Sequence, residues 1–235
     1  MLQAEPIKPV PLEPSAKAER TRRAILAAAE QQFARRGFVA TRLEDVAAAV
    51  DLKRAALFYH FRDKQTLYDA VLADAFGSLT ARLEEAFSAP DPIPVRIERA
   101  VEAWVDTVVA RPTLARLILR HAAEADEHAT QGMFPGVDRF VGVAWSLFAQ
   151  GTKNGDLKPV HADPFHAAST VIGATVFYVA ALAPLIPSAS FNPLAPEQVA
   201  AHKRDTLRTV RLLLGIADPA PARKKAARRT KKKAR

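Results

Sequence analysis

The chain has 235 residues, no cysteine, and 34 basic against 25 acidic side chains, for a formal charge of +9. Without thiols there is no disulfide framework and no thiolate chemistry, and the length is ample for one large or two modest cores. The charge is uneven: residues 219–235 hold nine Lys/Arg and no acid, which leaves a neutral body, and residues 15–64 hold eleven bases against six acids. Positive charge gathered at both ends favours an electrostatic partner such as nucleic acid.

Residues 1–15 include Pro6, Pro9, Pro11 and Pro14 and few large apolar groups, which predicts a disordered arm. No charged start precedes an apolar run here, so no signal peptide is expected, and the chain is assigned to the cytoplasm, on the nucleoid. A helix is predicted from about Ala16 to Arg36, with Ile25, Ala29 and Phe33 facing the core. Arg35-Arg36-Gly37-Phe38 supplies its stop: bases in the last turn, glycine at the cap, then an apolar residue.

TRLEDVAAAVDLKRAALFYHFRDK follows, from Thr41 to Lys64. Thr41 and Glu44 have capping-box spacing, and Leu43, Val46, Ala47 and Val50 repeat as a buried helical stripe. Asp51 suits a left-handed turn, and Leu52 plugs it. Lys53, Arg54, Ala55 and Ala56 open a second short helix, with Leu57 and Phe61 on one face and Phe58 and Tyr59 turned elsewhere. This layout is a helix-turn-helix with a basic, small-residue leading face.

Asp63 can cap a long helix to about Phe87, with Leu67, Val71, Ala75, Leu79 and Leu83 along its apolar face. Pro90, Pro92 and Pro94 then break the chain. Five further helices are predicted, over Pro94–Ala110, Pro112–Ala125, Pro135–Thr152, Asp163–Leu182 and Pro196–Gly215, with a proline-rich loop at Ala183–Ala195. No stretch alternates polar and apolar residues between turn signals, so the fold is expected to be all-α. The expected division is a DNA-binding part over 16–64, a helical part over 65–216 and a disordered basic tail over 217–235. Residues 167–196 carry no charge, and their helical portion nears the length of a membrane span. That run is single, contains Ser, Thr and Gly, and is broken by proline, so a helix buried by its own domain and a second subunit is the better reading.

Residues 20–76 resemble the DNA-binding domain of the TetR family of bacterial transcriptional regulators. The most specific pieces are F-x-x-x-G-F at 33–38, the second helix after Thr41, and L-F-Y-H-F-x-x-K at 57–64. The resemblance implies an all-α fold: a three-helix DNA-binding domain joined by a long helix to a helical effector-binding and dimerisation domain. The chain departs from the family pattern in the turn. Asp51 replaces the usual small residue, Lys53 the usual Ser or Thr, and Ala55-Ala56 the usual Gly-Thr pair. A cation at that helix start opposes the helix dipole unless a phosphate or guanine edge lies opposite.

By resemblance, Thr41, Tyr59, His60 and Lys64 contact the DNA backbone, where hydroxyl, phenol, imidazole and ammonium can all donate to phosphate. Packing is the alternative for Tyr59 and His60. Lys53 and Arg54 are candidates to reach guanine O6 and N7, and Ala55, Ala56 and Phe58 to touch thymine methyls. The alternative for both cations is a solvated surface. Arg42, with Arg20, Arg22 and Arg23, is a flanking phosphate contact or plain surface. The tail can hold DNA nonspecifically or be dispensable.

In the second part the resemblance implies a ligand pocket. Trp104, Val108, Phe134, Trp145, Phe148, Phe177 and Tyr178 are its candidate residues, with Phe140 also apolar and large, and each is also consistent with simple core. An apolar or amphipathic effector is expected. His121, Glu124 and His128 share a helix face, with His161 and His166 further on, but a polar rim suits them better than a metal site, and no cofactor is expected. No catalytic constellation stands out, so the chain is not expected to be an enzyme. The resulting expectation is a homodimeric, ligand-responsive repressor on a near-palindromic operator, with recognition helices roughly 34–36 Å apart. The alternative is a nonspecific DNA-organising protein acting through its tail.

Overall fold

The computed structural model describes residues 16–124, 137–187 and 191–217, and all regular structure among them is helical. The predicted arm, most of the basic tail, Phe134 and His128 lie outside the described residues. Ten helices follow in order: α1 Ala16–Ala40, α2 Leu43–Ala48, α3 Arg54–His60, α4 Lys64–Ser88, α5 Ile93–Ala110, α6 Thr113–Glu124, α7 Val137–Asn154, α8 Phe165–Ala180, α9 Leu182–Leu185 and α10 Pro196–Leu214. The expected loop at Ala183–Ala195 therefore begins inside a short helix, α9.

α1 is interrupted at Gly37 (φ 80°, ψ 174°), so its regular part ends where the sequence signals place the stop. Ile25, Ala29 and Phe33 are fully buried. α2 and α3 pack together and α2 leans on α1, with Leu43, Val46, Ala47, Leu57 and Phe61 buried at the junction. Asp51 adopts φ 54°, the left-handed turn predicted for it. Asp63 caps α4 by accepting from the Thr66 amide at 2.7 Å, and this bond holds its carboxyl down at about 2. The α4 stripe Leu67, Val71, Ala75, Leu79 and Leu83 is buried along its length.

α4 packs on α1, α5 and α7, and α10 packs on α5 and α8. Gly215 ends α10 in the left-handed conformation (φ 60°), and a Cβ there would strike the Lys158 carbonyl. Residues 158–160 are tied to that end by Lys158 N–H to Leu214 O and Val160 N–H to Leu213 O, both at 2.9 Å. No helix among the described residues is long and apolar enough to cross a membrane. α8 buries Ala167, Val171, Thr175, Val176 and Val179 but leaves Phe165, Ile172 and Phe177 exposed. Within one chain, then, α8 is covered on one side.

α6 bridges α1 and α8. At its start the buried Glu30 carboxylate of α1 receives Arg111 through Nε (2.8 Å) and Nη2 and the Thr113 hydroxyl, while Arg111 also donates to Asp74 Oδ2 at 2.7 Å. These carboxylates hold the Arg111 guanidinium even more firmly protonated than usual. At its far end Arg120 donates to Arg35 O at 3.1 Å, and Glu124 Oε2 accepts from the Phe38 amide at 2.8 Å. The Glu124 carboxylate lies against the bare face of Gly37. His121 faces Tyr68 (3.3 Å), whose phenol burial pushes up to about 12.

Candidate nucleic-acid interface

α3 divides its side chains as its spacing predicts. Leu57 and Phe61 point into the core, while Lys53, Arg54, Ala55, Phe58 and Tyr59 are exposed and Ala56 and His60 are half-buried. Tyr59 is 84% exposed, far more than an aromatic residue needs for packing. The exposed face therefore carries an ammonium, a guanidinium, a phenol and two methyl-bearing alanines on one rigid element. Such a set can donate to phosphate and reach base edges in a major groove.

Arg54 is pre-oriented. Its guanidinium pairs with Glu44 of α2 at 2.6 Å and lies 5.4 Å from the centre of the Phe58 ring. Both partners of that ion pair are more than half exposed, so it steers direction more than it stabilises the fold. Lys53 and Arg42 are exposed and have no ion-pair partner among the described residues. Arg36 is paired with Asp45, and Arg23 with Glu19 at 3.5 Å. Arg22 is structural: it donates to the His60 carbonyl at 3.2 Å and stacks 4.3 Å from the Phe61 ring centre, fixing the end of α3 to α1.

One sequence expectation needs correction here. Thr41 does not cap α2. The helix starts at Leu43 with Arg42 at the cap position, and Thr41 turns back to donate to Gly37 O at 2.7 Å. At 2% exposure Thr41 shows no hydroxyl to a phosphate in this conformation. Glu44, freed of a capping role, holds Arg54. Lys64 is also engaged internally, donating to Val39 O at 3.0 Å over the Phe38 ring, and partial burial lowers its pKa.

A second feature lies in the helical remainder. A cavity of about 180 Å³ opens between α4, α5, α7, α8 and α10, with Leu83, Phe87, Trp104, Phe148, Val171 and Val210 on its wall. Of the expected pocket residues, Trp104 and Phe148 line it and Phe140 joins them. Val108 is fully buried core and lies off the wall. Trp145 is 42% exposed against Phe165, Phe177 is 49% exposed, and Tyr178 stacks on His202 at 4.1 Å. Those four stand off this cavity's wall: helical spacing marks a residue as apolar-facing without saying which neighbour it faces.

Comparison with known proteins bears on the first feature. The sequence model for bacterial regulatory proteins of the tetR family matches residues 25–71. The transcriptional repressor BepR of Brucella suis is 34% identical over 93 residues, 39% of this chain and 44% of that one. The transcriptional regulator RutR of Escherichia coli is 26% identical over 157 residues, 67% of this chain and 73% of its own. The part of the chain that holds α2 and α3 is therefore similar to the tetR family of bacterial regulatory proteins.

The chain spans about half the length of BepR and of TtgR, a regulator from Pseudomonas putida (44% and 53%). Solved structures match the fold over most of the chain. The TetR-family regulator PfmR of Thermus thermophilus aligns with a TM-score of 0.61 at 18% identity, covering 88% of this chain and all of that one. The ketosteroid regulator KstR2 of Mycobacterium tuberculosis aligns with a TM-score of 0.64 at 19% identity, covering 88% of this chain and 98% of its own. The sequence alone does not reveal the Gly37–Glu124 contact or the internal bond of Lys64. A lone Glu at the end of a helix carries no signal that its partner lies 86 residues earlier.

Proposed function

We propose that this chain is a homodimeric repressor that reads a near-palindromic operator through α3 and releases it when a small apolar molecule enters the α4–α10 cavity. It acts as a binding protein, not an enzyme. The supporting observation is the exposed α3 face: Lys53, Arg54, Ala55, Phe58 and Tyr59 stand in solvent on a helix whose other side is locked into a core. In this reading residues 16–64 form the DNA-binding domain and 65–216 the regulatory one. Lys53 and Arg54 read base edges, Ala55, Ala56 and Phe58 pack on thymine methyls, and Tyr59, His60 and Arg42 hold phosphates. Lys64 joins them with the N–H donors that its bond to Val39 O leaves over.

Pairing through α8 and α10 is supported by α8 itself, which has no Asp, Glu, Lys or Arg and exposes Phe165, Ile172 and Phe177. Two such helices from each subunit make a four-helix interface. The ligand must favour an arrangement that binds DNA less well, since equal affinity for both shifts nothing. α4 runs from the helix-turn-helix to the cavity: Lys64 in its first turn bonds Val39 O, and Leu83 and Phe87 at its far end line the cavity wall.

Selection of binding sites from random duplex DNA tests the reading. A palindromic consensus retained after deletion of residues 219–235 supports it, and equal binding to all sequences sinks it in favour of nonspecific DNA organisation. Arg54→Ala should relax preference at one base position by about 1–3 kcal/mol. A uniform loss on every sequence would assign Arg54 to phosphate.

A further inference from the structure

Glu44 and Asp45 stand side by side in the first turn of α2 and pair with different helices. Asp45 pairs with Arg36 of α1, and Glu44 with Arg54 of α3 at 2.6 Å. The second pair is made through Arg54 Nη1, so the guanidinium keeps its Nε–H and both Nη2 hydrogens for other acceptors. Phe58, one turn further along α3, sets its ring 5.4 Å from the same guanidinium. Arg54 is thus bracketed by an acid from α2 and a ring from its own helix, while its neighbour Lys53 is exposed with no ion-pair partner among the described residues. A carboxylate on a surface that meets DNA is repelled by every phosphate and costs affinity on all sequences alike.

We infer that Glu44 is a positioning residue for sequence discrimination: it offsets the charge that Arg54 offers to phosphate and aims the remaining donors at a guanine edge. This rests on the reading that α3 enters a major groove. An unpaired arginine on its flexible stem finds a phosphate on any duplex, because those oxygens recur at every step. Paired with Glu44, the guanidinium has little net charge left for a phosphate, while guanine O6 and N7 still meet two donors on a planar fork. Holding the fork in place beforehand also spares side-chain entropy on binding. Glu44 therefore lowers affinity for random DNA more than for operator. The ratio of the two is the quantity that matters among many competing sites.

Glu44→Gln keeps the shape and removes the charge. Binding of the full-length chain is followed by fluorescence anisotropy at several salt concentrations on three duplexes. These are the consensus selected by the wild type, the same duplex changed at the base pair that Arg54→Ala maps, and a scrambled sequence. Glu44→Gln should bind the scrambled duplex several-fold tighter, and its slope of log K against log salt should steepen by about 0.9, as one more phosphate is engaged. Its preference at the mapped base pair should fall by about three- to tenfold, with preference elsewhere in the site unchanged. In an Arg54→Ala background, Glu44→Gln should alter neither the preference at that base pair nor the salt slope. Urea unfolding of Glu44→Gln should match the wild type, since both partners are more than half exposed.

An unchanged preference at the mapped base pair overturns the inference. So does a loss spread over every position with a lowered unfolding midpoint, which assigns Glu44 to holding α2 on α3. A sharpened preference overturns it too, because the pair would then be keeping Arg54 off the DNA. If Arg54→Ala weakens all sequences equally, Arg54 holds a phosphate and the inference falls while the operator reading stands. If the wild type selects no consensus, the operator reading fails and takes the inference with it.

Discussion

The α1–α6 junction and the α4–α10 cavity both lie between packed helices, yet they are held by opposite means. At the junction, a charged cluster of Glu30, Arg111, Asp74 and Thr113 and the Glu124–Phe38 bond set geometry atom by atom. Around the cavity, contacts are hydrocarbon on hydrocarbon with space left over. Polar bonds fix direction and punish removal of one partner. Apolar packing around a void is non-directional and tolerates change of shape. The part that ties down the helices proposed to face DNA is the directional one, and the part proposed to receive a ligand is the permissive one.

The largest contrast should come from Arg111→Ala, which strands the Glu30 carboxylate at 5% exposure. A loss of about 3 kcal/mol in urea unfolding is expected, the low end for such a pair because the Arg111 side chain is about one-third exposed. A loss below about 1 kcal/mol would show that water reaches Glu30 and that the cluster is not directional. Next, Gly37→Ala should cost about 1–3 kcal/mol from its φ of 80° alone. It should also raise hydrogen exchange at the Phe38 amide, because the new methyl displaces the Glu124 carboxylate.

Enlarging an alanine tests packing on each side. Ala115 of α6 is fully buried, and Ala115→Ile should cost about 1–3 kcal/mol. Ala144, on the cavity wall, has room beside it, and Ala144→Ile should stay within about 0.5 kcal/mol of wild type while weakening ligand binding. Equal losses at both positions would erase the distinction between the regions. The smallest effect concerns Asp63, whose carboxyl titrates lower folded than unfolded. Its cap on α4 is therefore complete above about pH 4 and lost as pH falls towards about 2, read as rising exchange of the Thr66 amide over that window and not near neutrality.

Much of this was readable in the residues. Proline at the starts of α5 and α10, Asp63 before α4 and glycine after α10 mark ends because each acts within a few residues of itself. The division of α3 into Leu57 and Phe61 inside and Phe58 and Tyr59 outside follows from helical period alone. What could not be read is pairing at a distance. Thr41 has a capping spacing with Glu44, but the Gly37 carbonyl and Arg54 compete for the two side chains and win. Val108 and Trp104 sit four apart on one apolar face, yet only Trp104 meets the cavity, because the gap depends on how α7 and α10 approach α5.

Gly37 answers to two masters that act independently. Its torsion disfavours a side chain whatever surrounds it, and a Cβ there would also push aside the Glu124 carboxylate, the free end of an exposed side chain. Shortening Glu124 clears the space and leaves the torsion, and bending the backbone would carry Phe38 away from the carboxylate. A replacement at 37 meets the torsion first and the Phe38–Glu124 bond second, so this corner of the molecule should drift little among chains that share the α1–α6 junction.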